Sequence, residues 1–307
     1  MTGQTSNIPV CAAIDWGTTN LRIWLLDRAG AVLGERASGE GMRACMPDRF
    51  EAVMEGHLAA LGAPAALPVI VAGMAGARGG WREAPYLVAP VGLEALHEGA
   101  VVVPHAVRDV RILPGICQRA PGREDVMRGE ETQLAGAVAQ GLSDGLVCLP
   151  GTHSKWAAIE AGRLVSFTTF MTGELFAVLG AHTILKDTLG EGGFDPADPA
   201  FRGGVEDMLA EGAGLTGKLF SLRAAGLLDA GTAPNPRARL SGLLIGAEIA
   251  AAKAAHGSGH EVGLVAAGTQ AELYLTALGL AGFRCRVLDG GALVRRGLLD
   301  AACALWD

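Results

Sequence analysis

Apolar and polar positions alternate in blocks along this chain. Residues 10–15, 21–27 and 31–37 are apolar runs of strand length, broken by short polar stretches at 17–20 and 28–30, which predicts a three-strand meander. Residues 47–61 then carry helical spacing, and "LPVIVAGM" predicts a fully buried strand. The same grammar returns at residues 145–170, "GLVCLPGTHSKWAAIEAGRLVSFTTF": apolar strand, Gly-Thr turn, strand, acidic-x-Gly turn, strand. Gly17-Thr18 matches Gly151-Thr152 and Gly30 matches Gly162, with a slightly shorter spacing in the second copy. A duplicated domain is the economical reading.

Between the copies, "DVMRGEETQLAGAVAQG" predicts a helix with an acidic first turn that carries the chain from one domain to the next. After the second meander, "TTFMTGELFAVLGAHTILKDTL" and "PAFRGGVEDMLAEGAGLTGKLFSLRAAGLL" read as helical, separated by the loop "GEGGFDPADP", and "RLSGLLIGAEIAAAKAAH" adds another helix. The final stretch alternates as strand "EVGLVAAG", helix 269–280, strand "FRCRVLD" and a last helix after Gly290-Gly291. The prediction is an α/β protein of two related domains, 1–138 and 139–307, with the last helix able to pack back on the first.

Composition narrows the partners. Half of the 307 residues are hydrophobic and 19% are charged, enough for a sizeable core; the net charge is -7 and no Lys/Arg-rich stretch is present. A small-molecule ligand is therefore expected, with neither a nucleic acid nor a membrane as partner, and a homodimer is left open. The six cysteines are scattered without a C-x-x-C pair, and no apolar run reaches membrane-spanning length or forms a leader. The expectation is a reduced, soluble, cytoplasmic protein. Its 45 glycines imply many tight turns.

Four places could carry chemistry. Asp15 at a strand end, followed by Gly17, Thr18, Thr19 and Asn20, offers a carboxylate for a hydrated cation and amides and hydroxyls for a phosphate. An ordinary Asn-containing hairpin has the same composition, but the echo at Gly151, Thr152, His153 and Lys155 suggests two turns gripping successive phosphates from facing domains. Gly268-Thr269-Gln270 stands where a strand hands over to a helix, which suits a nucleotide as well as a plain joint. The adjacent acids Glu130 and Glu131 could take a proton from an attacking hydroxyl, or simply favour the helix dipole. The loop 73–90 gathers Arg78, Trp81, Arg82, Glu83 and Tyr86; an arginine there could clamp a substrate carboxylate or lie solvated. His256 and His260 fall in a turn, and no metal site is expected of them. Hydrolase elbow, zincin and P-loop motifs are missing.

"IDWGTTN" resembles the first phosphate motif of the sugar-kinase, hexokinase and actin superfamily, "LPGTHSKW" its second, and "LVAAGTQAELYLTALG" its adenosine motif. More narrowly, the chain resembles the 2-dehydro-3-deoxygalactonokinase family over nearly its whole length, through "IDWGTTNLR", "GMAGARGGWREAPY", "DVMRGEETQLAGA", "LPGTHSKW", "TFMTGELFAVL", "RLSGLLIGAE" and "VLDGGALVRRGL". The resemblance implies two ribonuclease H-like (actin-like ATPase) domains facing a nucleotide cleft. It also implies ATP-dependent phosphorylation of the terminal C6 hydroxyl of a 2-keto-3-deoxy sugar acid in galactonate breakdown.

By position, Asp15 would organise Mg2+ through water, Gly17, Thr18, Thr19 and Asn20 would meet the terminal phosphates, Gly151, Thr152, His153 and Lys155 would oppose them, and Gly268 and Thr269 would approach the adenosine. Related sugar kinases commonly place an Asp after a Gly at the start of the interdomain helix. Here Glu130 and Glu131 stand there, and the choice of base between them stays open. The alternatives are a kinase of the same fold for another sugar or sugar acid, and an ATP-binding regulator without catalysis.

Overall fold

A computed structural model describes residues 8–211, 214–228, 234–257 and 261–307. The chain divides into two compact units: unit 1 comprises residues 1–144, 159–166 and 290–307, and unit 2 comprises 145–158 and 167–289.

Unit 1 opens with the predicted meander, β1 (Cys11–Trp16), β2 (Leu21–Leu26) and β3 (Val32–Ser38), followed by helices α1 (Met42–Cys45) and α2 (Phe50–Ala60) and strand β4 (Val69–Gly73). Short strands β5 (Tyr86–Val88), β6 (Val91–Gly92), β7 (Val101–Val102) and β8 (Val110–Ile112) come next, then β9 (Gly115–Ala120), β10 (Arg123–Met127) and helix α3 (Glu130–Ala139). The main sheet runs β3-β2-β1-β4-β8-β7, with β1–β2 and β2–β3 antiparallel and β1–β4 and β4–β8 parallel.

Strand periodicity explains why β1 is apolar on both faces up to Asp15. Ala12, Ile14 and Trp16 face a cluster containing Phe50, Val53, Met54 and Leu58 of α2. Cys11 and Ala13 face the opposite one, built with Val294, Leu298 and Ala302 of the C-terminal helix Gly290–Trp306. That helix also crosses α3 backbone to backbone: a Cβ at Gly136 would overlap the Leu293 carbonyl, and one at Gly297 the Thr132 carbonyl.

Unit 2 holds β11 (Gly145–Leu149), most of β12 (Ser154–Glu160) and the end of β13 (Arg163–Phe170), whose shared hairpin tip belongs to unit 1 and pairs there with β6. Helices α4 (Thr172–His182), α5 (Lys186–Leu189), α6 (Pro199–Glu211), α7 (Leu215–Leu228) and α8 (Pro236–His256) follow, then β14 (Glu261–Val265), α9 (Gly268–Leu280) and β15 (Arg284–Leu288). The order β13-β12-β11-β14-β15, with β11–β14 and β14–β15 parallel, repeats β3-β2-β1-β4-β8 strand for strand. The matched turn glycines also agree, Gly30 at φ 86° and Gly162 at φ 74°, both in the left-handed region that glycine tolerates. Both units carry the ribonuclease H-like topology expected from the sequence.

Three local readings change. Residues 125–127 belong to β10, not to the helix, because Asp125, Val126 and Met127 pair with Gln118, Cys117 and Ile116. The helix expected over 47–61 is shorter and follows a separate turn, α1. The sheet β10-β9-β5 was not foreseen. His260 and residues 212–213 of the expected helix lie outside the described residues. Among the described residues no helix is long and apolar enough to cross a membrane.

Candidate active site

Asp15 stands one residue before the end of β1, opposite Arg22 on β2 and Ala72 on β4. Beside it β4 ends at Gly73, φ 91°, where a Cβ would come within 2.7 Å of the Trp16 carbonyl oxygen and 3.5 Å of Asp15 Oδ1. Gly129, φ 113°, lies against Gly73 in turn, with a Cβ position 3.6 Å from the Gly73 Cα. These close approaches bring the ends of β1 and β4 to the first residue of α3. Burial raises the Asp15 pKa, Arg22 pulls it back, and the Glu130 carboxylate raises it further. Two carboxylates that repel one another at strand and helix ends form a donor set that fits a hydrated divalent cation, whose charge would relieve the repulsion. Among the described residues no group of three His, Cys, Asp or Glu could hold a metal by itself.

The two acids of α3 have separate environments. Glu131 is 0% exposed, and both its oxygens accept from the Gly129 amide, at 2.8 and 2.7 Å. Burial first, and Glu130 second, push its carboxyl up to about 8. Glu130 is half-buried, and its Oε2 accepts from the Arg128 amide at 3.1 Å. Glu131 therefore caps its own helix while Glu130 retains access to solvent.

The turn after β1 is oriented by the residues that follow β3. Gly41, Met42 and Arg43 donate their amides to the carbonyls of Thr19, Gly17 and Thr18 at 3.2, 2.9 and 3.2 Å. In a trans peptide the N–H points opposite to the C=O, so the Thr18, Thr19 and Asn20 amides face away from 41–43. Gly41 is required for this contact, since a Cβ there would overlap the Thr19 backbone. Sequence reasoning missed Gly41 because its φ of -67° is ordinary and only the close approach demands glycine.

In unit 2, the Thr152 carbonyl accepts from the Glu174 amide at 3.0 Å, and Gly173 lets the start of α4 touch Gly151 and Thr152. His153 Nε2 lies 2.6 Å from Glu174 Oε2, and Lys155, 5% exposed, has its ammonium 3.5 Å from the His153 carbonyl. Gly151 and Thr269 come together on one cavity of about 290 Å³, walled also by Thr172, Phe176, Gln270 and Tyr274. Gly268, φ 56°, opens α9 next to it.

The arginine loop splits. Arg78, Arg82 and Glu83 are exposed, whereas Trp81 turns inward, stacking on Phe50 at 6.0 Å and meeting Trp16 edge-on at 5.8 Å. Tyr86, 39% exposed, lies under the guanidinium of Arg128 at 4.4 Å. Arg128 was not singled out from the sequence, although it stands within the quoted "DVMRGEETQLAGA" segment. Its Nη2 donates to the Ala84 carbonyl at 2.8 Å, and its Nε and Nη1 are buried without a hydrogen-bond partner among the described residues.

A family model described as 2-keto-3-deoxy-galactonokinase matches residues 15–301. The chain belongs to the 2-keto-3-deoxy-galactonokinase family. It is 48% identical, over 96% of its length and 97% of the relative's, to a Rhizobium meliloti (strain 1021) protein named probable 2-dehydro-3-deoxygalactonokinase DgoK1. It is 35% identical, over 95% of its length and 97% of the relative's, to the Escherichia coli (strain K12) 2-dehydro-3-deoxygalactonokinase. A crystal structure of a Sinorhizobium meliloti protein named for the same activity superposes with a TM-score of 0.93 at 48% identity, covering 96% of this chain and 99% of that one. Family membership places the chain among phosphotransferases and does not favour the non-catalytic regulator.

Proposed function

We propose that this member of the 2-keto-3-deoxy-galactonokinase family transfers the γ-phosphate of ATP to the C6 hydroxyl of 2-dehydro-3-deoxy-D-galactonate, in galactonate breakdown. The observation that carries the reading is the convergence of Asp15, Gly73 and Gly129-Glu130, with Glu130 half-buried and Glu131 withdrawn into the helix cap.

Glu130 is the base that accepts the hydroxyl proton, because it is the one acid of the pair that is not fully buried. Glu131 is a positioning residue that fixes the start of α3 through Gly129. Asp15 orients the hydrated Mg2+, and the amides of Thr18, Thr19 and Asn20 stabilise charge on the transferring phosphoryl group. Bound there, Mg2+ would supply positive charge against the negative charge that develops during transfer.

In unit 2 the cavity walled by Gly151, Thr172, Phe176, Thr269, Gln270 and Tyr274 takes the nucleotide, with Gly268 beside it and with Thr152, His153 and Lys155 on the phosphate side. Exposed Arg78 and Arg82 clamp the substrate carboxylate with Glu83 nearby; Trp81 anchors that loop by packing, and Tyr86 ties it to Arg128. The protein works as a cytoplasmic enzyme on a small sugar acid, with no nucleic-acid partner.

The test is ADP release from purified protein with ATP, Mg2+ and 2-dehydro-3-deoxy-D-galactonate, run beside the gluconate epimer and neutral hexoses. Faster turnover of the galactonate-series acid supports the reading. Preference for a neutral hexose, or nucleotide binding without transfer, overturns it.

A further inference from the structure

Glu248 sits in the middle of α8 in the apolar stretch "LLIGAEIAAA", only 2% exposed. A buried carboxylate is costly unless donors satisfy it, and this one is surrounded by them. It accepts from the Trp156 indole N–H at 2.9 Å, from the Tyr274 hydroxyl at 2.8 Å and from the Thr172 hydroxyl. Ser154 extends the network, its Oγ lying 3.0 Å from the Tyr274 oxygen. Burial raises the Glu248 pKa above its ordinary value, and these donors offset only part of that rise.

Two of the three donors line the cavity assigned above to the nucleotide, and the third stands on the strand that follows its phosphate turn. Thr172 is the first residue of α4 and Tyr274 lies on α9, and both line the cavity; Trp156 is on β12, directly after the Gly151–His153 turn. Glu248 itself is not part of the lining. A carboxylate only accepts, so the Thr172 and Tyr274 protons point inward to it, and each hydroxyl is held in one orientation.

We infer that Glu248 is the positioning residue of the nucleotide pocket: by accepting from Thr172, Tyr274 and Trp156 it holds α4 and α9 against the phosphate turn, and so sets nucleotide affinity without touching the nucleotide. This rests on the nucleotide reading of the cavity.

The test is Glu248→Gln, which keeps the shape and replaces one acceptor oxygen with a donor. Kinetics of ATP and sugar acid are measured beside calorimetric ADP binding to sugar-free protein. The expected result is about a tenfold rise in both the ATP KM and the ADP Kd, the scale of one lost charge-assisted hydrogen bond. The kcat at saturating ATP and the sugar-acid KM should stay within about twofold of wild type.

Because Glu248 acts through the hydroxyls, adding Thr172→Val and Tyr274→Phe to the Gln variant should cost less than the effects summed separately. Unchanged ADP affinity in the Gln variant overturns the inference, as does a fall of kcat together with a rise in both KM values, the pattern of general unfolding. If the Gln variant does not fold, the Thr172→Val/Tyr274→Phe pair gives the same reading: about tenfold weaker ADP binding supports the inference and wild-type binding overturns it. Absence of ADP binding by the wild-type protein is a separate outcome, which removes the nucleotide reading of the cavity and this inference with it.

Discussion

Both carboxyl oxygens of Glu131 lie within 2.8 Å of the Gly129 amide nitrogen, so the second acid of the "GEET" segment closes back on the residue that precedes its own helix. Its neighbour Glu130 is only half-buried, and the two acids differ in environment for that reason.

Glu131 makes stability depend on pH. Its folded-state pKa, about 8, is raised above the ordinary 4.5, so between these values the folded protein holds a proton that the unfolded chain has lost. Stability therefore falls as pH rises through that window, by up to about 1.4 kcal/mol per unit from this group. In Glu131→Gln that contribution disappears. Thermal melts of the ligand-free protein from pH 5 to pH 8.5 should show the wild type losing stability relative to the variant, and parallel curves would refute the assignment.

Replacing the proposed base should spare nucleotide binding. Glu130→Gln is expected to lower kcat by about 10²- to 10⁴-fold while leaving ADP affinity within about twofold. Full activity in this variant would return the base role to another group.

Asp15→Asn removes one charge at constant shape. The variant should need a higher Mg2+ concentration for half-maximal rate and turn over more slowly, with ADP binding in the absence of Mg2+ unchanged. A Mg2+ titration identical to that of the wild type would make Asp15 a structural residue.

Arg128 ties the loop 73–90, proposed to hold the sugar acid, to the segment that opens α3 through its stacking on Tyr86 and its bond to the Ala84 carbonyl. Arg128→Met should lower kcat/KM for the sugar acid about tenfold, through loss of about 1–2 kcal/mol of cation–π and hydrogen-bond energy, with the ATP KM unaffected. Equal losses for both substrates would point to a general folding defect.

Much of this was legible because it is local. The meanders announce themselves as alternating apolar runs with Gly-containing turns, and Asp15 is visible as a carboxylate at a strand end. Contacts distant in sequence were not legible. Gly41 looks like any loop glycine until Thr19 is placed against it, and Arg128 looks like a solvated charge until Tyr86 lies beneath it. The open choice between Glu130 and Glu131 had the same origin, since both sit in one helical turn and only tertiary burial tells them apart. Trp81 shows the converse: an aromatic in a Gly/Pro-rich loop reads as a ligand contact, yet Phe50 and Trp16 claim its ring.

The glycine crossing between α3 and the C-terminal helix has a consequence for biosynthesis. Gly136 and Gly297 let the two backbones touch, so the helix that begins at Glu130 is seated by residues translated more than 150 positions later. A ribosome-bound chain ending at Asp289 already carries every residue proposed for nucleotide, metal and sugar acid, but α3 lacks the helix that packs on it most extensively. The start of α3, and with it Glu130, therefore gains this support only after the final helix has been made.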